Sequence, residues 1–186
     1  MVIVVLEPMP VYESIKMPFT GTVENGTPDG PKLHSILIDP RDRNHLYLGL
    51  SSGGVMESTD GGRNWINITP DGRHGKVKGG ARNALPAWAL ISIVEPSPHD
   101  EDALYVAATM YKHDDTRPYL YKTADRGKTW TKIVGGIPDG EFTRTIRADP
   151  GREGLLYCGT ETGIYVSVDD GGGWRRLGGN LPVAPI

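Results

Sequence analysis

An all-β fold, a β-propeller built of four-stranded antiparallel blades, is predicted by three observations on this 186-residue sequence. A box of the form Ser/Thr-x-Asp-x-Gly-x-x-Trp occurs three times, at Ser58–Trp65, Thr123–Trp130 and Ser167–Trp174. Each box is preceded by two apolar strand segments that meet at a proline-containing turn. The box aspartates Asp60, Asp125 and Asp169 are 65 and 44 residues apart, and the shorter interval is the length of one blade. Repetition on this scale is the mark of an architecture whose units stack.

The elements follow in chain order. Residues 1–31 are expected to hold an N-terminal strand, Met1 to Glu7, and a linker. The opening apolar run is too short for a signal peptide, lacks a basic start, and is cut by Pro8 and Pro10. Blade 1 is expected over 32–70, with strand segments at Leu33–Pro40, His45–Leu50 and Gly54–Thr59 and a fourth leaving Trp65. A connector follows over 71–86. Blade 2 spans 87–136, with strand segments at Ala89–Pro96, Ala103–Ala108 and Tyr119–Ala124. Blade 3 spans 137–182, with strand segments at Arg144–Pro150, Leu155–Gly159 and Ile164–Asp169, and 183–186 form a tail. The grammar of an acidic residue or serine before proline, a polar turn and then Leu-Tyr recurs in all three units.

The box itself is the chemistry of a tight hairpin. Its hydroxyls (Ser58, Thr123, Ser167) and carboxylates (Asp60, Asp125, Asp169) bond the loop's own backbone. Its glycines (Gly62, Gly127, Gly171) supply a positive φ. Its tryptophans (Trp65, Trp130, Trp174) are expected to lay their rings over the loop while the indole N–H finds an acceptor. A calcium loop would need oxygen ligands at alternating positions and a closing acid, which the boxes lack.

Composition narrows the function classes. A net charge of −3 gives no basic face for nucleic acid. No apolar run approaches the ~18 residues of a membrane helix. With 25 glycines and 15 prolines the chain is turn-rich, and the regular strand grammar assigns these to turns rather than disorder. Cys158 stands alone in a strand, so no intrachain disulfide forms, and it is expected to be a buried small hydrophobe.

The segments Arg117–Trp130, Gly154–Asp170 and Gly178–Pro182 carry a family resemblance covering roughly residues 32 to 182. The chain resembles the Asp-box propellers, the bacterial neuraminidase repeat group that includes sialidases, sortilin-type domains, xyloglucanases and a photosystem II assembly factor. It is closest to bacterial glycosyl-hydrolase-like and sortilin-type repeat proteins. The resemblance implies a propeller and speaks weakly to function. Sialidases of this group carry an Arg-Ile-Pro segment and an arginine triad gathered from separate blades. This sequence has no Arg-Ile-Pro, and Arg144 and Arg147 share one strand.

In a propeller the box turns lie at the end opposite the ligand face, which is built from the turns between second and third strands and from the connectors between blades. Two long loops are expected there side by side, 69–86 and 110–118. Long loops on a rigid scaffold are where binding concentrates. The first offers Arg73, His74, Lys76 and Arg82 (with Lys78) as a cationic cluster for an anionic group. The second offers Tyr111, Lys112, His113 and Arg117, with Asp114 and Asp115; a salt bridge between Asp115 and Arg82 is expected between the loops. Glycoside hydrolysis needs two carboxylates about 5–5.5 Å or 6.5–9.5 Å apart, and the acids available are Asp114, Asp115, Glu141 and Glu161. Trp88 is expected to begin the innermost strand of blade 2, where core packing competes with stacking on a sugar.

No cofactor and no metal site is expected. The favoured function is a non-catalytic or accessory module presenting a loop-rich face to a polysaccharide or protein ligand. Part of a glycoside hydrolase, and an assembly factor or scaffold, are the alternatives. Because three blades do not close a ring, further blades or self-association are expected. The compartment is left open.

Overall fold

The structure is a computed structural model in which residues 32–178 are described. The expected strand Met1–Glu7, the linker and the segment from residue 179 onward, tail included, lie outside the described residues.

Three twisted sheets follow one another along the chain. Blade 1 has strand order β1-β2-β3-β4, from β1 (Leu33–Asp39), β2 (Asp42–Leu50), β3 (Gly54–Ser58) and β4 (Ile66–Asn67). Blade 2 has order β5-β9-β8-β7-β6, where β6 (Leu90–Pro96), β7 (Leu104–Met110), β8 (Asp115–Thr123) and β9 (Thr129–Lys132) are the expected four. The fifth, β5 (Lys76–Val77), comes from the connector and pairs parallel with β9. Blade 3 has order β10-β11-β12-β13, from β10 (Thr143–Ala148), β11 (Leu156–Thr160), β12 (Ile164–Ser167) and β13 (Arg175–Arg176). All pairings within the four-strand sets are antiparallel, as short turns between sequential strands require.

Alternation along each strand divides the core between two blade interfaces. On β7, Leu104, Val106 and Ala108 pack with Tyr47, Val55 and Ile68 of blade 1. Tyr105 and Ala107 pack the other way, with Ile146, Leu156 and Cys158 of blade 3. All seven residues of β7 are therefore buried, because a blade covers each side. Cys158 is fully buried, and that burial pushes its thiol up to about 12, leaving no reactive thiolate.

The boxes fold as hairpins in the expected way. The Thr123 hydroxyl donates to Asp125 Oδ1 at 2.7 Å and accepts from the Gly127 N–H at 3.0 Å, and Asp125 Oδ1 accepts the Thr129 N–H at 2.7 Å. The same bonds recur at Ser58–Asp60–Gly62 and Ser167–Asp169–Gly171. The Asn64 backbone N–H and side chain hold the Asp60 carboxyl at about 2, so it is ionised wherever the chain is folded near neutrality.

The tryptophans depart from expectation. Only Trp65 turns back on its own loop, donating to Gly62 O at 3.0 Å. Trp130 donates to Ile68 O of blade 1 at 2.9 Å, and Trp174 to Ile133 O of blade 2 at 2.7 Å. Ile68 and Ile133 each stand three residues after the preceding box tryptophan, and each side chain covers the next blade's box glycine. A Cβ on Gly127 would come within 2.7 Å of Ile68, and one on Gly171 within 2.7 Å of Ile133. Glycine is demanded twice over there, by φ values of 78° and 88° and by the approach of the neighbouring blade. The box is thus a joint between blades as well as a turn within one.

Candidate functional site at the loop end

The connectors and the β2–β3, β7–β8 and β11–β12 turns share the end of the sheets opposite the boxes. The connector after β4 is more structured than a free loop. It returns along the rim of blade 2, where Lys76 N–H donates to Lys128 O at 2.9 Å and Lys78 N–H to Trp130 O at 2.8 Å, and then makes a 3-10 turn at Gly80–Arg82. Tyr121 Oη donates to Asn83 O at 2.9 Å and pins the segment. Two of the cations named in it share one carboxylate, and the others lie further along the connector. His74 Nδ1 lies 2.8 Å and Arg73 Nη2 3.7 Å from Asp71 Oδ2, Lys76 sits on the rim strand, and Arg82 ends the 3-10 turn.

The second loop is shorter than expected, because β8 already begins at Asp115. What remains is a 3-10 turn, Tyr111–His113, closed by Asp114 with φ 56°. Tyr111, Lys112, His113 and Asp114 are all exposed. The expected bridge from Asp115 to Arg82 is replaced by a local one. Arg117, two residues along the same strand, reaches Asp115 through Nε at 2.9 Å and Nη2 at 2.6 Å, and Tyr119 Oη donates to the same carboxylate at 2.7 Å. A partner on the same strand needs no loop to be positioned, so it wins. The Arg117 guanidinium holds Asp115 well below the usual carboxylate range.

Blade 3 contributes the other two acids. Glu141 accepts from the Thr160 hydroxyl at 2.7 Å and from the Thr162 hydroxyl, with Arg176 Nη1 at 4.0 Å. Burial pushes its carboxyl up, but the bonds from Thr162 and Thr160 outweigh that, and the net displacement is downward. Glu161 Oε2 takes both Nε and Nη2 of Arg144, at 2.8 and 2.5 Å. Arg144 in turn lies over the rings of Phe142, at 4.9 Å, and Tyr111, at 5.7 Å, and these two rings stack at 5.3 Å with 16° between their planes. Phe142 and Thr162 were not singled out from sequence; their positions beside Glu141 and Glu161 were the available signal.

Trp88 is neither in the core nor in the innermost strand. It precedes β6, with φ 71°, and is 42% exposed. Among the described residues no group of three or more His, Cys, Asp and Glu side chains is arranged to hold a metal ion.

Comparison with known proteins finds relatives of the same architecture. The sequence is 28% identical over 158 residues to the xyloglucanase Xgh74A of Acetivibrio thermocellus, covering 80% of this chain and 18% of the relative. It is 31% identical over 127 residues to a probable oligoxyloglucan-reducing end-specific xyloglucanase of Neosartorya fischeri, covering 67% of this chain and 13% of the relative. This chain therefore spans less than a fifth of the length of these relatives. The structure superposes on the GH74 xyloglucanase from Xanthomonas campestris with a TM-score of 0.57, at 21% identity, over 77% of this chain and 20% of that one. The chain is built of β-propeller blades. A structure of YCF48 bound to a D1 peptide gives a TM-score of 0.57 at 20% identity, over 81% of this chain and 40% of that one. No family model matches the sequence.

Proposed function

We propose that these blades form a non-catalytic or accessory recognition module whose loop end binds a polysaccharide or a protein, with polysaccharide favoured by the xyloglucanase relatives. The observation that carries the non-catalytic reading is the state of three of the four candidate acids. Asp115 is locked to Arg117, Glu161 to Arg144, and Glu141 to two hydroxyls, all as acceptors. A glycosidase needs one carboxyl that keeps its proton near neutrality, and neither Asp115 nor Glu141 is displaced in that direction.

The second reading, part of a glycoside hydrolase, draws on the bonds to Glu141 from Thr160 and Thr162, the two residues that flank Glu161. Incubating the purified chain with neutral and acidic glycans decides between them. Binding without release of reducing ends is expected; turnover with a pH–rate profile abolished in Glu161→Gln would favour the hydrolase. The assembly-factor reading predicts peptide binding and no glycan affinity.

The outward side of blade 3 supports a further partner for the sheet stack. Tyr157 is 37% exposed where its counterparts Tyr47 and Tyr105 are 1% and 4%, and Leu177 is 41% exposed where Ile68 and Ile133 are 5% and 7%. These are the groups that elsewhere receive the next blade. Light scattering over a concentration series tests self-association: a discrete oligomer, lost in Leu177→Asp, supports it, and a monomer throughout excludes it.

A further inference from the structure

Trp88 combines two properties that packing alone does not explain. Its φ of 71° lies in the left-handed region, which a bulky side chain occupies only under constraint, and strain of this kind concentrates at binding sites. The conformation leaves the indole 42% exposed, whereas Trp130 and Trp174 are 0% and 4% exposed. The pairing of Leu90 with Thr109 puts Trp88, two residues before one, and Tyr111, two residues after the other, at the same end of neighbouring strands. Tyr111 is likewise exposed, at 40%, and its ring plane is fixed by Phe142 beneath it and by Arg144, itself held by Glu161.

Resting on the recognition reading above, we infer that Trp88 and Tyr111 form a stacking platform for pyranose rings of a neutral polysaccharide. The apolar C–H face of a pyranose lies flat on an aromatic ring, whose face is electron-rich. The paired guanidinium and carboxylate of Arg144 and Glu161 stand beside the platform as donor and acceptor for ring hydroxyls. Neutrality follows from charge. Arg144 and Glu161 cancel, and the exposed Lys112 is matched by the exposed Asp114, so no field favours an acidic chain.

The test is titration of the full chain with xyloglucan oligosaccharides and, in parallel, with polygalacturonate, read by calorimetry and tryptophan fluorescence. Trp88→Ala and Tyr111→Ala are each expected to weaken xyloglucan binding at least tenfold, and Trp88→Phe to retain most of it. Trp88→Gly, which takes the same φ without strain, is expected to melt above Trp88→Ala while binding as poorly. Unchanged affinity in Trp88→Ala and Tyr111→Ala overturns the platform and leaves the recognition reading standing, as does a Trp88→Gly variant that melts no higher than Trp88→Ala and keeps its affinity. Tighter binding of polygalacturonate overturns the neutral class. No binding of either glycan by the wild type removes the recognition of polysaccharide itself, and the platform with it.

Discussion

Trp130→Ala is expected to unfold the joint between blades 1 and 2. The side chain is fully buried, and its loss leaves a cavity worth about 3–5 kcal/mol. Ile68 O, which accepts the indole N–H at 2.9 Å, is left without that donor at a further cost of about 1–3 kcal/mol. The total rivals the ~5–15 kcal/mol by which whole domains are stable. Trp65→Ala removes the same residue type from the same motif, but there the indole bonds its own loop and is only half-buried, so about 1 kcal/mol is expected. Urea denaturation of the two variants measures the contrast. Equal destabilisation would mean that the box acts as a turn alone and that the inter-blade bond contributes nothing.

Glu57→Ala is expected to cost about 1–3 kcal/mol, because it leaves the buried His45 ring without its hydrogen-bond partner. At the box end of blade 1, His45 Nε2 lies 2.7 Å from Glu57 Oε1, and His45 Nδ1 lies 3.8 Å from Asp39 Oδ2; all three residues are buried. Asp39 is in turn gripped by Arg41, whose side-chain hydrogen bonds hold its carboxyl below its ordinary value. The Tyr47 ring packs on the imidazole at 4.6 Å, which fixes the imidazole in place. His45→Phe strands Glu57 in the same way and is expected to cost a similar amount. The double variant His45→Phe with Glu57→Met removes both members and is expected to be more stable than Glu57→Ala. A double-mutant cycle by denaturant midpoint checks this. Simple additivity, with the double variant the least stable of all, would mean that the two residues do not act as a pair.

Much of the fold was legible because its determinants are local. A box hydroxyl bonds an aspartate two residues on and an amide four residues on, so Ser58–Asp60–Gly62 states its hairpin within five residues. Strand alternation and the recurring Leu-Tyr step likewise divided the chain into blades. Where bonding ran to a partner far along the chain, sequence gave the residue but not the contact. Trp174 was identified, yet its acceptor at Ile133 stands 41 residues away; Tyr105 was placed in a strand, yet its hydroxyl bonds Asp170, 65 residues away. The candidate site shows the same division. Asp115, Glu161, Tyr111 and Trp88 were nominated from the loop end, whereas the pairing of Asp115 with Arg117, the seating of Arg144 over two rings and the exposure of Trp88 were not.

By itself, then, the sequence determined three blade-forming units, their hairpin turns and the end of the sheets from which the long loops emerge. These rest on hydrogen bonds and side-chain alternation within a few residues. Only the tertiary structure decided that the box tryptophans fasten one blade to the previous one, that the long connector becomes a rim strand on blade 2, and that Trp88 is held strained and open to solvent. Those outcomes depend on which surfaces meet when blades stack, a competition among contacts tens of residues apart that no local pattern encodes.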